Sequence, residues 1–151
     1  MRSFKTIKGY LSNGDVEPEK LLFRSSTSVR IGGLDLDFDF IEEQFQVKAT
    51  KFHKAGDTNG YVVFEEDMWL FDSTDILDEN VSIVSHMELI NSIFLRKRKI
   101  LQDLNKSGNI TIYCDYLTNS DITGIEIPNH CFRIYNKLGI SFNLSFGYIG
   151  N

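Results

Sequence analysis

The side chains able to do chemistry in this chain are few, and their spacing decides what chemistry they can do. Nucleophilic catalysis needs a Ser, Cys or Thr with a base in hydrogen-bond reach and a third group to orient that base. His130 and Cys131 are adjacent, but neighbours on a helix splay about 100° apart. Cys131 therefore reads as core packing and His130 as surface. Cys114 falls on the apolar face of a strand and reads as an inert buried thiol. No G-x-S-x-G elbow, G-x-G-x-x-G or phosphate-loop pattern occurs, and Gly32-Gly33 and Gly56…Gly60 read as turn glycines. Asp35, Asp37 and Asp39 would offer a hard cation three carboxylates if they lay on one face of a strand. Asp57-Thr58-Asn59-Gly60 has part of a calcium loop but neither its register nor its closing Glu. The three histidines have no metal-binding spacing. No catalytic residue, metal or cofactor is expected.

Two constellations remain. A hairpin across residues 55–66 would bring Lys54 or His53 near Trp69, with Asp57 at the strand end, making an aromatic platform or a groove for a ligand or partner. The structural alternative is a core Trp69 with Lys54 lying along its edge. Glu65, Glu66 and Asp67 add an acidic run beside it. The basic run Arg96-Lys97-Arg98-Lys99 points around the whole circumference of a helix. It reads as solvated, or as paired with acids of the first half.

Charge narrows the partner. Lys and Arg number 16 against 21 Asp and Glu, a net charge of −5. Residues 1–75 hold nine basic and fourteen acidic side chains, and residues 76–151 hold seven of each. That field repels nucleic acid and favours a basic protein partner. With 151 residues, 42% hydrophobic, the chain suits one ordinary domain. Charges interrupt every apolar run well short of a membrane span. Two cysteines without C-x-x-C spacing, and no signal-peptide pattern at the N-terminus, fit a reducing cytoplasm.

The elements that must position these residues follow from periodicity. Residues 1–20 read as an N-terminal extension, with Phe4–Tyr10 strand-like and Ser12-Asn13-Gly14-Asp15 as the turn of a hairpin. Residues 21–151 read as a single domain. A strand over 22–31 ends at Gly32-Gly33. The run 34–40 alternates like a strand, yet Phe38, Ile41 and Phe45 continue at helical spacing, so a short helix over about 38–46, capped by Asp37, is expected. Strands follow at 49–54 and 67–72. One long helix over 82–107, closed by a left-handed Gly108, carries the stripe Val84, Met87, Ile90, Phe94, Leu101, Leu104. A strand at 109–116, a helix near Pro128 closed by Gly139, and a strand with Ile140, Phe142, Leu144 and Phe146 inward complete the chain. This order predicts an α+β two-layer sandwich of ferredoxin-like type, its sheet mostly antiparallel and its helices packed on one face.

Several short motifs also match a known family. Ser28-Val29-Arg30-Ile31-Gly32-Gly33, His53-Lys54-Ala55-Gly56-Asp57 and Trp69 before Phe71-Asp72-Ser73 carry the likeness, with Gly124-Ile125-Glu126-Ile127-Pro128 and Leu138-Gly139-Ile140-Ser141-Phe142. Over roughly residues 22–146 the chain resembles the bacterial domain-of-unknown-function family 4279. Phe38 and Ala49 stand where that family often has proline. The resemblance supports the fold and lends no chemistry. The expected function is a non-catalytic, cytoplasmic protein-binding module, immunity-protein-like or regulatory, taking a basic partner through His53, Lys54, Asp57, Trp69, Glu65, Glu66 and Asp67. The alternative is a small-ligand sensor or enzyme using the Lys54/Asp57/Trp69 region. A monomer or weak homodimer is expected, the aromatic last strand being able to pair edge to edge.

Overall fold

The computed structural model describes residues 20–120 and 124–150. The expected N-terminal strand and turn lie outside them. The centre of the sheet is β1 (Phe23–Gly33), whose alternation buries Val29 and Ile31 completely. β4 (Asn109–Thr118) pairs antiparallel along it, from Phe23↔Thr118 to Gly32↔Asn109. On its other side β3 (Asp67–Asp72) is antiparallel to β1, and β2 (Lys51–His53) is antiparallel to β3. β5 (Asn143–Tyr148) lies beside β4, and the order is β2-β3-β1-β4-β5.

The β4–β5 pair is parallel, so the sheet is mixed rather than mostly antiparallel. The chain returns from the end of β4 through a helix before starting β5, and such a crossover delivers a strand running the same way as its neighbour. Alternation in the sequence reports which face is covered. It does not report the direction of the neighbouring strand. The strand also starts later than expected, and Phe146, read as inward, is 59% exposed at the sheet's edge.

Of the helices, α1 (Phe38–Phe45) forms as its cap dictates. The Asp37 carboxylate accepts from Phe40 N at 2.9 Å, Ile41 and Phe45 are buried, and Gln46 ends the helix in the left-handed region. That settles residues 34–40: a lead-in to residue 37, then helix. The expected helix over 82–107 is instead two, α2 (Ile83–Phe94) and α3 (Arg98–Ser107), separated by a 3₁₀ turn at Leu95–Lys97. The break falls within the basic run, where Lys97 leaves helical geometry (φ −117°, ψ 45°) and Arg96 and Lys99 would repel at three-residue spacing. Gly108 is not left-handed either (φ −141°). It is glycine because a Cβ there would fall 2.2 Å from the Gly32 carbonyl oxygen. A 3₁₀ turn at Asn129–Phe132 leads into α4 (Arg133–Leu138), which Gly139 closes at φ +64° as expected.

The core joins Val29, Ile31, Trp69, Phe71 and Ile112 of the sheet to Ile41, Phe45, Met87, Ile90, Phe94, Leu101 and Ile134 of the helices. Phe94 is its hub, with ring centroids 4.8 Å from Phe45, 6.2 Å from Phe71 and 6.3 Å from Trp69. Among the described residues no helix is long and apolar enough to cross a membrane.

Candidate functional site

The connection between β2 and β3 continues the hairpin as a finger. Gly56 N donates to Phe64 O and Phe64 N to Asp57 O, at 2.8 and 2.9 Å, and Thr58 bridges Val63. At the tip, Asn59 Oδ1 accepts from Tyr61 N and Val62 N, and Gly60 supplies the positive φ of +94°. At the base, Asp57 Oδ2 accepts from Lys54 N at 2.8 Å.

This geometry places the predicted site residues differently from the expected platform. Phe52, not Lys54 or His53, stands opposite Trp69 in the β2–β3 register. With that register fixed, His53 falls on the reverse face, where its ring stacks on Phe64 at 3.7 Å. Trp69 is 0% exposed, and its indole N–H lies near the Glu42 carboxyl, which it helps to hold down, without closing a full hydrogen bond. Lys54 lies one step further along, over the Phe38 ring at 4.0 Å. Its Nζ donates to Leu36 O at 2.6 Å and pairs with Asp67 at 3.1 Å. Asp67, expected in a surface run, is 4% exposed and also accepts from Leu36 N (2.9 Å) and Ala55 N (2.8 Å). The Ala55 N–H, helped by Lys54 and the Leu36 N–H, holds its carboxyl below the ordinary value against the opposing effect of burial. Glu66 accepts from Arg30 Nη2 at 2.7 Å, while Glu65 is exposed. Lys54 and Asp67 thus form one cluster, Asp57 holds the Lys54 backbone beside it, and Trp69 and His53 stand apart.

What the finger exposes is apolar. Tyr61 is 96% exposed, and Val62, Val63 and Phe52 are each more than half exposed. Leu34 and Phe40, before and within α1, are also exposed, and α1 meets the hairpin through the edge-on Phe38–Phe52 contact. The same segments of chain carry Asp35, Asp39, Glu43, Asp57 and Glu65, all exposed and without an ion pair among the described residues. A hollow of about 410 Å³ includes Asp39, Glu42, Glu43 and Lys48. Glu42 is already engaged. Lys48 (2.7 Å) and Ala49 N (2.9 Å) hold its carboxyl below the usual range, and the pairing raises Lys48 in turn.

Three arrangements escape sequence reasoning. Arg96, Lys97, Arg98 and Lys99 do not point all around a helix. The 3₁₀ turn lets all four line one hollow of about 430 Å³ together with Arg133 and Lys137 of α4. Among the described residues only Lys99 of these has an ion pair, with Asp103 of its own helix at 3.4 Å, so the expected pairing with acids of the first half is absent. Ser73 and His86 make a Ser–His pair at 2.7 Å, but both are 0% exposed. Thr27 N donates to the serine oxygen at 2.9 Å, so β1, Ser73 and His86 are linked in one buried hydrogen-bonded chain. Burial lowers the His86 pKa, against smaller raising effects from the Asp78 backbone and Asp72. No substrate reaches this pair, and it is a structural bridge. Lastly, Glu88 of α2 meets His130 at 2.7 Å beside the buried Cys131. Only the i, i+1 adjacency of His130 and Cys131 hinted at this, and it pointed to divergence.

No curated protein and no solved structure matches the chain. A family match does exist, and it covers β1 through most of β5, including the finger and every predicted site residue. The family is described as Domain of unknown function (DUF4279), it matches residues 24–147, and the chain belongs to it.

Proposed function

We propose that this protein is a non-catalytic protein-binding module, immunity-protein-like or regulatory, of the bacterial cytoplasm. It engages a basic protein partner through α1 and the β2–β3 finger, and acts as a monomer or weak homodimer. The observation that carries this reading is the exposed apolar set Leu34, Phe40, Phe52, Tyr61, Val62 and Val63 on segments of chain that also carry exposed acids without ion pairs among the described residues. Apolar contacts supply the buried centre of an interface, and charge complementarity supplies orientation and rate. Two free, buried thiols agree with a reducing compartment. The ferredoxin-like sandwich belongs to the same proposal. Its support is the run β2-β3-β1-β4 with α1 between β1 and β2 and α2–α3 between β3 and β4, β5 being an addition.

The test is co-purification from the native host with two charge and tip variants, Asp39→Lys/Glu43→Lys/Glu65→Lys and Tyr61→Ala/Val62→Ser/Val63→Ser. A basic protein retained by wild type and lost from both, with melting temperature unchanged, supports the reading. Capture of the same proteins by all three sinks it. Asp67 and Glu66 are left unaltered because Asp67 is buried and Glu66 holds Arg30.

A small-ligand sensor is the second reading, and the observation favouring it is the six-cation hollow rather than the Lys54/Asp57/Trp69 region. Its ligand would be a compact polyphosphate anion. Pyrophosphate should raise the melting temperature of wild type but not of Arg96→Ala/Arg133→Ala; no shift in wild type removes this reading.

A further inference from the structure

We propose that Glu88, His130 and Cys131 form a binding site for Zn²⁺, tying α2 to the turn that starts α4 and leaving a fourth position to water. One ligand atom from each residue lies within 4.8 Å of the others. Tetrahedral zinc with bonds of about 2.0–2.3 Å needs its ligands roughly 3.2–3.8 Å apart, so the side chains close by at most about 1.0–1.6 Å. The two that must adjust, Glu88 and His130, are the exposed ones, and their 2.7 Å hydrogen bond opens slightly to admit the ion.

The third ligand is fixed by the backbone. Asn91, one turn on from Glu88, donates to Cys131 O at 3.0 Å and to Met87 O at 3.0 Å, and accepts from Ile134 N at 3.1 Å. Cys131 N donates to Pro128 O at 3.0 Å. One side chain of α2 therefore sets where the thiol sits relative to Glu88. A thiol, an imidazole and a carboxylate are a borderline-soft set that suits zinc and not magnesium or calcium. Burial pushes the free Cys131 thiol up, so without metal it stays protonated. On binding, the S–H bond breaks, the proton passes to solvent and the sulfur–zinc bond forms. The ion enters from the exposed Glu88–His130 side and covers the sulfur.

The experiment titrates the full chain with Zn²⁺ and with Co²⁺ as a spectroscopic probe. Expected are one-to-one binding, a thiolate-to-cobalt charge-transfer band and the intense visible bands of tetrahedral cobalt. Cys131→Ser should remove the charge-transfer band. His130→Ala and Glu88→Ala, at exposed positions that leave the fold intact, should each weaken Zn²⁺ binding at least about tenfold, the scale at which even outer-sphere partners act. Cys114→Ser should change neither. Absence of binding overturns the proposal, as does binding indifferent to His130→Ala and Glu88→Ala, or a charge-transfer band that survives Cys131→Ser. None of these residues belongs to the proposed partner surface, so the two readings fail separately.

Discussion

Asp67 is a charge kept inside the fold by two backbone N–H groups and an ammonium. Asp67→Asn keeps the shape but turns an acceptor-only group into one that must also donate among donors. It should cost about 3 kcal/mol in urea denaturation. Because its folded pKa is lowered, its contribution is complete above the ordinary 3.8 and is lost as pH falls through the folded value. His86 titrates in a higher window. Its folded pKa is also lowered, so protonation favours the unfolded chain: stability is full above the ordinary 6.5 and declines as pH falls below it. The stability difference between wild type and His86→Gln should therefore be flat above about pH 7.5 and shrink below 6.5. Neither role was legible in the sequence. Asp67 stands in a run with Glu65 and Glu66, and its partners Leu36 and Ala55 come from separate segments. Ser73 and His86 come from separate elements, and β1 holds the serine through Thr27 N.

Among the elements, those with a local cause could be read directly. The Asp37 cap starts α1, the Ser82 side chain caps α2 by accepting from Val84 N, and Gly139 closes α4. Those with a distant cause could not. The apolar spacing lapses at Lys97 and Arg98 and resumes at Leu101 and Leu104, so the lapse reads as one solvated turn of a single helix rather than as the break at Leu95–Lys97. The register that sends Trp69 inward and His53 outward is set by β3 pairing with β1, not by residues of β2. Gly108 illustrates the same point, since its need for hydrogen in place of a methyl comes from Gly32 on a neighbouring strand. Gly108→Ala should destabilise by about 1–3 kcal/mol, the range of an overpacked contact, measured by thermal or urea unfolding. A left-handed cap would have shown a positive φ and no such contact.

At the scale of the whole molecule, charge is divided between two surfaces. Exposed acids gather on α1 and the finger, and a cationic hollow sits between the start of α3 and α4. The acidic balance of residues 1–75 was legible from counting, but the hollow was not, because it needs the helix break and α4 together. Association with a basic partner should slow as salt rises, and Asp39→Lys/Glu43→Lys should flatten that dependence in stopped-flow measurements. β2 and β5 are the two edges of the sheet. Sedimentation should show a monomer or weak dimer, and substituting the exposed Phe146 with Lys should leave only the monomer. The sealed position of Trp69 has a practical consequence. It is the chain's one tryptophan, edge-on to the hub ring Phe94. Its emission should be blue and closed to iodide quenching, shifting to the red only when the interior itself comes apart.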